Sequence, residues 1–198
     1  GVDVEERPIT VQEIVDAGGI VVAPYRDPDA GQFPWYLVLG QQEYDLVLAD
    51  EILGCAQEQV GFDQERIHSI GMSAGGLQTS QMSYRRSSYI ASVVTYSGGI
   101  FAGVPPYENP ENKFGAMIYH GGPSDVVVIS FQDASEMYRE NIQQNGNFAF
   151  ICDHGDGHTI PQDGVPSSVA FLWDHPWGEV PSPYENGLPD SFPGYCEL

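Results

Sequence analysis

Short unbroken apolar runs alternate along this chain with longer stretches in which apolar residues return every three or four positions, and that alternation predicts strands and helices in turn. The runs at 19–24, 66–70, 90–96, 114–119 and 147–152 each have the length of a buried strand. Ahead of the first, Thr10 with Glu13 reads as a capping box and Ile9 with Ile14 as a hydrophobic staple, so a short helix begins there and ends near Gly18. From Glu43 to Val60, Tyr44, Val47, Leu48, Ile52, Cys55, Ala56 and Val60 recur at helical spacing, which makes Cys55 an inward-facing, buried free thiol. A third helix starts at Gly76. Phe131, Ala134, Tyr138 and Ile142 mark one face of a fourth that ends at Gly146, and a last helix covers about 166–173. Unbroken apolar strands between amphipathic helices imply a mostly parallel sheet with helices on both faces, in a single domain spanning 1–198.

One junction in this pattern carries chemistry. Gly71-Met72-Ser73-Ala74-Gly75 lies between the strand ending at Ile70 and the helix starting at Gly76, the setting of a G-x-S-x-G nucleophile elbow. A chain that turns from strand to helix at Ser73 strains the serine backbone, and only tiny residues two before and two after leave room for the turn. The hydroxyl is then exposed, and the Ala74 N–H at a helix N-terminus can donate to a developing oxyanion.

A nucleophilic serine needs a base and an orienting acid, and both follow in the chain order of such an elbow. The strand at 114–119 runs into His120-Gly121-Gly122-Pro123-Ser124-Asp125, and the strand at 147–152 runs into a loop ending in Gly157-His158-Thr159-Ile160-Pro161. Both loops leave C-terminal strand ends, where α/β sheets carry functional groups. His158 is the expected base and Asp125 the expected acid. Asp133 and Asp156 compete with Asp125, but Asp133 falls in the following helix and Asp156 is too near His158 in sequence to reach the far side of its ring. His154 and His158, four apart, suggest a metal pair; two glycines in that span argue against the helical face such a pair uses, so no metal and no cofactor is expected. His120 is expected to hydrogen-bond the acid loop, His68 to pack in the core, and His175 to contact the end of the last helix through its dipole.

With these residues in place, the chain resembles the α/β-hydrolase superfamily over nearly its whole length. Within it, the chain resembles the small secreted esterases grouped with poly(3-hydroxybutyrate) depolymerases, feruloyl esterases and acetylxylan esterases. The resemblance rests on Gly71 to Gly76, on Tyr96-Ser97-Gly98-Gly99, on His120-Gly121 with Asp125 and Val128, and on Gly157 to Pro161. It implies Ser73 as nucleophile, Asp125 as acid, His158 as base and Ala74 as an oxyanion donor, acting on short-chain, feruloyl-type or polyester substrates. Such esterases usually take a second oxyanion donor from a His-Gly-type loop after an early strand. Here Gly1 to Pro8 lead straight into the first helix, so the expectation is the larger, C-terminal part of a longer or nicked protein, with the missing segment as a partner. Otherwise the loop from Tyr25 to Trp35 must supply the donor. A serine peptidase on the same fold, or a non-catalytic binding protein, shares these features.

Composition adds the setting. Seven basic against 28 acidic residues give a net charge of −21, which disfavours nucleic acid and anionic membranes as partners and fits an extracellular or salt-adapted protein. The proline-rich tail needs an anchor, and a Cys152–Cys196 disulfide would supply it beside the His158 loop, which also fits secretion. Tyr25 and Trp35 are candidates to grip substrate. No lid-sized insertion other than 100–112 separates Ser73 from Asp125, which favours an open cleft able to take polymeric esters.

Overall fold

A computed structural model of the chain describes residues 8–24, 42–101 and 103–198. The chain parts into two compact units, residues 1–64 and 65–198. The first contains α1 (Pro8–Asp16) and α2 (Gln42–Gln59). Proline fits the first turn of a helix, where its missing N–H costs nothing, and α1 opens on Pro8, leaving Thr10 inside that turn and not at its cap. The helix stops where the sequence says it should. Gly18 takes φ 85°, its N–H donates to the Val15 carbonyl at 2.9 Å, and Gly19 N–H donates to the Ile14 carbonyl at 2.9 Å, the paired bonds of a Schellman ending.

Two further expectations fail in this unit. Residues 19–24 form no strand, and Ile20 and Val22 are more than half exposed. An apolar run becomes a parallel strand only with a hydrogen-bonding neighbour, and none pairs with this run among the described residues. Cys55 is free and exposed, with the Gln59 amide donating to its sulfur at 2.9 Å. The buried side of α2 runs through Asp45 and fully buried Leu46. At about 3.6 residues per turn, Cys55 comes two and a half turns after Leu46 and so points the opposite way.

The second unit is built on a sheet of β1 (His68–Met72), β2 (Ser92–Tyr96), β3 (Gly115–His120), β6 (Phe148–Asp153) and β7 (Cys196–Glu197), in that spatial order. The first four pair in parallel and β7 pairs antiparallel to β6. A small hairpin, β4 (Val126–Val127) with β5 (Ile129–Ser130), stands apart from the sheet. Helices α3 (Ala74–Arg85), α4 (Phe131–Gln144) and α5 (Val165–Asp174) complete the unit.

Register decides which residues share a face. Val94, Met117 and Phe150 are aligned across β2, β3 and β6, as are Tyr96, Tyr119 and Cys152. These six pack with Phe171 and Leu172 of α5 and with Tyr184 and Phe192 of the tail. On the other face Ser69 of β1 hydrogen-bonds Thr79 of α3 at 3.1 Å, and Ser83 of α3 bonds Tyr138 of α4 at 2.6 Å. Helices therefore cover both faces, as the alternating pattern predicts.

The tail is anchored as expected. Cys152 and Cys196 form a disulfide across 44 residues, at the same place where β7 pairs with β6. A loop of that length gives about 4 kcal/mol in the chain-entropy account. His175 caps α5. Its Nδ1–H donates to the Phe171 carbonyl at 2.8 Å and its Nε2 accepts from Ser182 Oγ at 2.8 Å, so a neutral hydrogen bond, and no charge, meets the helix end. His68 pairs with Ser92 across β1 and β2, its Nδ1 lying 2.8 Å from the hydroxyl.

The burial of His175 has a consequence for stability. Desolvation, first among its causes, holds the imidazole below its ordinary pKa of 6.5. The unfolded chain therefore binds this proton more readily than the folded one, so the contribution is intact above about 6.5 and is lost as pH falls toward the lower folded value. Urea midpoints at pH 7 and pH 5 are expected to drop on acidification, and to drop less in His175→Gln. An equal drop in both proteins would assign the acid lability to other groups.

Candidate active site

The site forms where three parallel strands end together. β1 ends at Met72, and Ser73 turns the chain directly into α3 with φ 56° and ψ −122°. A side chain in that region of backbone space costs on the order of 1–3 kcal/mol, and such strain gathers at functional sites. Two bonds hold it: Ser73 N–H donates to the Tyr96 carbonyl at 2.9 Å, and the Ser73 carbonyl accepts from Leu77 N–H at 2.9 Å. The glycines are required by contact. A Cβ on Gly71 would stand 2.3 Å from the Gly75 carbonyl oxygen, and one on Gly76 would stand 2.9 Å from the Tyr96 carbonyl oxygen. Ala74 is the first residue of α3, so its N–H has no acceptor within the helix and sits at the positive end of the helix dipole.

The three residues singled out from the sequence meet. His158 Nε2 lies 2.9 Å from Ser73 Oγ, and His158 Nδ1 lies 2.7 Å from Asp125 Oδ1. Asp125 is fully buried and His158 is partly open to solvent. The other carboxylate oxygen, Oδ2, accepts from Gly121 N–H at 3.0 Å and from Ser97 Oγ at 2.8 Å. Phe131, the first residue of α4, stacks on the His158 ring with centroids 4.8 Å apart, and its N–H donates to the Asp125 carbonyl at 2.9 Å. With Nδ1–H directed at the carboxylate, Nε2 is left as an acceptor facing the serine hydroxyl. That arrangement can take a proton from Ser73 and return it to a leaving group.

The remaining candidates fall elsewhere. Asp156 is highly exposed, its carboxylate 4.0 Å from His154 Nδ1 and not on His158. Asp133 lies in the first turn of α4, its N–H capped by Ser130 Oγ at 3.2 Å. His120 is buried and its Nδ1 accepts from Gly122 N–H at 3.1 Å, which fits a part in shaping the acid loop. His154 accepts from Asp156 N–H through Nδ1 at 3.3 Å, while its Nε2 is buried without a partner. Burial pushes the His154 pKa down. Tyr25 and Trp35, and the loop between them, lie outside the described residues.

Three contacts escape sequence reasoning: the Ser97 hydroxyl, the Gly121 N–H and the Phe131 ring. Ser97 stands in the Tyr96-Ser97-Gly98-Gly99 stretch, the signal that could point to it, but nothing in the sequence gives its φ of 48°. Gly121 is tested directly by the crowding around it. A Cβ there would be 2.0 Å from the Gly157 carbonyl oxygen, and Gly157 N–H already donates to the Gly121 carbonyl at 3.0 Å. Gly121→Ala must push apart the loops carrying Asp125 and His158. We expect a fall of about 100-fold in kcat for a p-nitrophenyl ester, the scale of a 1 Å misplacement. Unchanged turnover would mean that the two loops move as one.

No family model and no curated protein matches the chain in sequence. Solved structures do match it in shape. A carboxylesterase from Bacillus cereus superposes with a TM-score of 0.67 at 18% identity, over 87% of this chain and 82% of that one. Esterase PE8 superposes with a TM-score of 0.63 at 22% identity, over 88% of each chain. The native structure described as pOPH gives 0.66 at 18% identity, covering 86% of this chain. The chain spans 61% of the length of pOPH.

This is the α/β-hydrolase fold. The elbow at Ser73 and the loops after β3 and β6 stand at the C-terminal ends of the strands, where α/β sheets carry their functional loops. The disulfide fits an oxidising compartment. Among the described residues no helix is long and apolar enough to cross a membrane.

Proposed function

We propose that this chain is a serine carboxylic-ester hydrolase working through Ser73, His158 and Asp125. The observation that carries this reading is the unbroken hydrogen-bonded line from Ser73 Oγ through both ring nitrogens of His158 to Asp125 Oδ1, at 2.9 and 2.7 Å. In the reaction, Ser73 Oγ attacks the ester carbonyl carbon while its proton passes to His158 Nε2. The tetrahedral oxyanion accepts from the Ala74 N–H at the head of α3. Collapse breaks the bond to the alcohol oxygen, which leaves with the proton from His158, and a serine acyl ester remains. A water activated by the same imidazole then cleaves it, releasing the acid and restoring Ser73.

Esters are favoured over amides by the likeness in fold to proteins described as a carboxylesterase and an esterase. Short-chain, aryl and polyester substrates remain in the reading. Tyr25 and Trp35 are proposed substrate contacts, and the second oxyanion donor is assigned to their loop or to a segment preceding this chain. The disulfide and the acidic surface support secretion. The test is a panel of a p-nitrophenyl short-chain ester, a feruloyl ester and polyhydroxybutyrate, run beside a peptide p-nitroanilide and a fluorophosphonate probe. Ester cleavage with probe labelling and little amidase activity is expected. Amide cleavage at comparable rates would make the protein a peptidase, and absence of labelling would make it a binding protein.

A further inference from the structure

We infer that Ser97 is a positioning residue for the triad, acting through Asp125; the inference rests on the ester-hydrolase reading. A buried carboxylate is costly unless its oxygens are satisfied, and Asp125 is fully buried. Oδ1 is committed to His158, which leaves Oδ2 to be held by other groups. One donor to it, Gly121 N–H at 3.0 Å, comes from the end of β3, the strand that leads into Asp125's own loop. The other, Ser97 Oγ at 2.8 Å, comes from the end of β2. It is the donor that ties the carboxylate to a second strand of the sheet.

Ser97 is also held where it stands. It is fully buried, and its own N–H donates to the Tyr119 carbonyl on β3 at 2.9 Å. Its φ of 48° is one a glycine would take without strain, and two glycines follow it. Both are pinned by contact: a Cβ on Gly98 would lie 2.9 Å from the Gly76 backbone, and one on Gly99 would lie 2.2 Å from the Ala134 carbonyl oxygen. A serine held in left-handed backbone at this point has one group a glycine lacks, and that group is bonded to Asp125.

The preceding residue completes the argument. The Tyr96 carbonyl accepts the N–H of Ser73, so consecutive residues at the end of β2 hold the nucleophile at one end of the triad and the acid at the other. Imidazole alignment requires both ends to be set against a common frame, and β2 is that frame. Without the Ser97 hydroxyl, Asp125 Oδ2 keeps only the Gly121 N–H. The carboxylate can then rotate, and His158 loses its fixed orientation while the substrate-facing surface stays as it was.

The experiment compares Ser97→Ala and Ser97→Gly, alone and combined with Asp125→Asn, in the full chain. Loss of one hydrogen bond to a charged group predicts a fall in kcat of roughly 10- to 100-fold with KM little changed. Ser97→Gly, free of the backbone strain, should be at least as stable as Ser97→Ala and yet no more active. In the Asp125→Asn background the Ser97 substitutions should cost nothing further, because their effect passes through the lost carboxylate. Independently of turnover, the downfield Nδ1–H proton resonance of His158 should move upfield or vanish in Ser97→Ala. Wild-type kcat in Ser97→Gly, a loss that multiplies with Asp125→Asn, or an unmoved resonance would each overturn the inference. A wild-type protein inert toward esters and fluorophosphonate sinks the ester-hydrolase reading instead, and the resonance still decides the role of Ser97.

Discussion

Ser73→Ala is expected to abolish fluorophosphonate labelling and to lower kcat for a p-nitrophenyl ester by about a millionfold, the scale seen when a triad nucleophile is removed. The fold should survive. What holds the turn is backbone: the Ser73 N–H to the Tyr96 carbonyl, the Leu77 N–H to the Ser73 carbonyl, and the glycine contact between Gly71 and Gly75. The hydroxyl adds only its bond to His158 Nε2 at 2.9 Å. Alanine accepts the same φ of 56° at the same strain as serine, so thermal unfolding should be nearly unchanged. Retained labelling in this variant would move the nucleophile elsewhere, and a collapse in stability would show that the hydroxyl holds the elbow together.

Asp125→Asn should lower kcat by about 10⁴-fold, again with the fold kept. The reason is a count of donors and acceptors. The carboxylate accepts on both oxygens, from His158 Nδ1 at Oδ1 and from Ser97 and Gly121 at Oδ2. Asparagine has one oxygen and one amide nitrogen. If its oxygen serves the two donors, its NH₂ group faces His158 Nδ1 and forces the imidazole proton onto Nε2. That tautomer cannot take the proton of Ser73. If the amide flips, His158 is served but two buried donors meet an NH₂ group. The first arrangement should prevail, since it leaves fewer buried groups unpaired. Turnover close to that of the wild type would instead transfer the acid role to Asp156.

The strands and the chain order of the site were legible for a physical reason. A parallel strand covered on both faces must be apolar throughout, so Val93, Val94, Ala116, Met117 and Ile118, all fully buried, stand out without any periodicity. The glycines around Ser73 were legible because a sharp turn leaves no room for side chains there. Where reasoning failed, the deciding quantity was a neighbour. Residues 19–24 look like a strand but have no pairing partner among the described residues. On α2 two apolar stripes compete, and burial chose the one through Leu46 over the one containing Cys55. Val128, at φ 67° and highly exposed, is the tip of a hairpin that no propensity would assign to a β-branched residue. The Ser97 hydrogen bond depends on a backbone angle and on the loops after two neighbouring strands meeting, neither of which is written locally.

The two residues of β7 also decide what this sheet does in a crowd of its own copies. A free edge strand offers unpaired backbone groups to any other strand, and a long apolar edge is an aggregation site. β6 would be such an edge, with Ala149 to Cys152 all buried in the folded chain. Pairing of Ile151 with Glu197 and of Cys152 with Cys196 covers its C-terminal part, and the covalent bond keeps the cover in place. Reduction would turn a permanent cover into a reversible one. Solubility of the folded protein would then depend on the redox state of its surroundings, even where the charge of −21 keeps the rest of the surface apart.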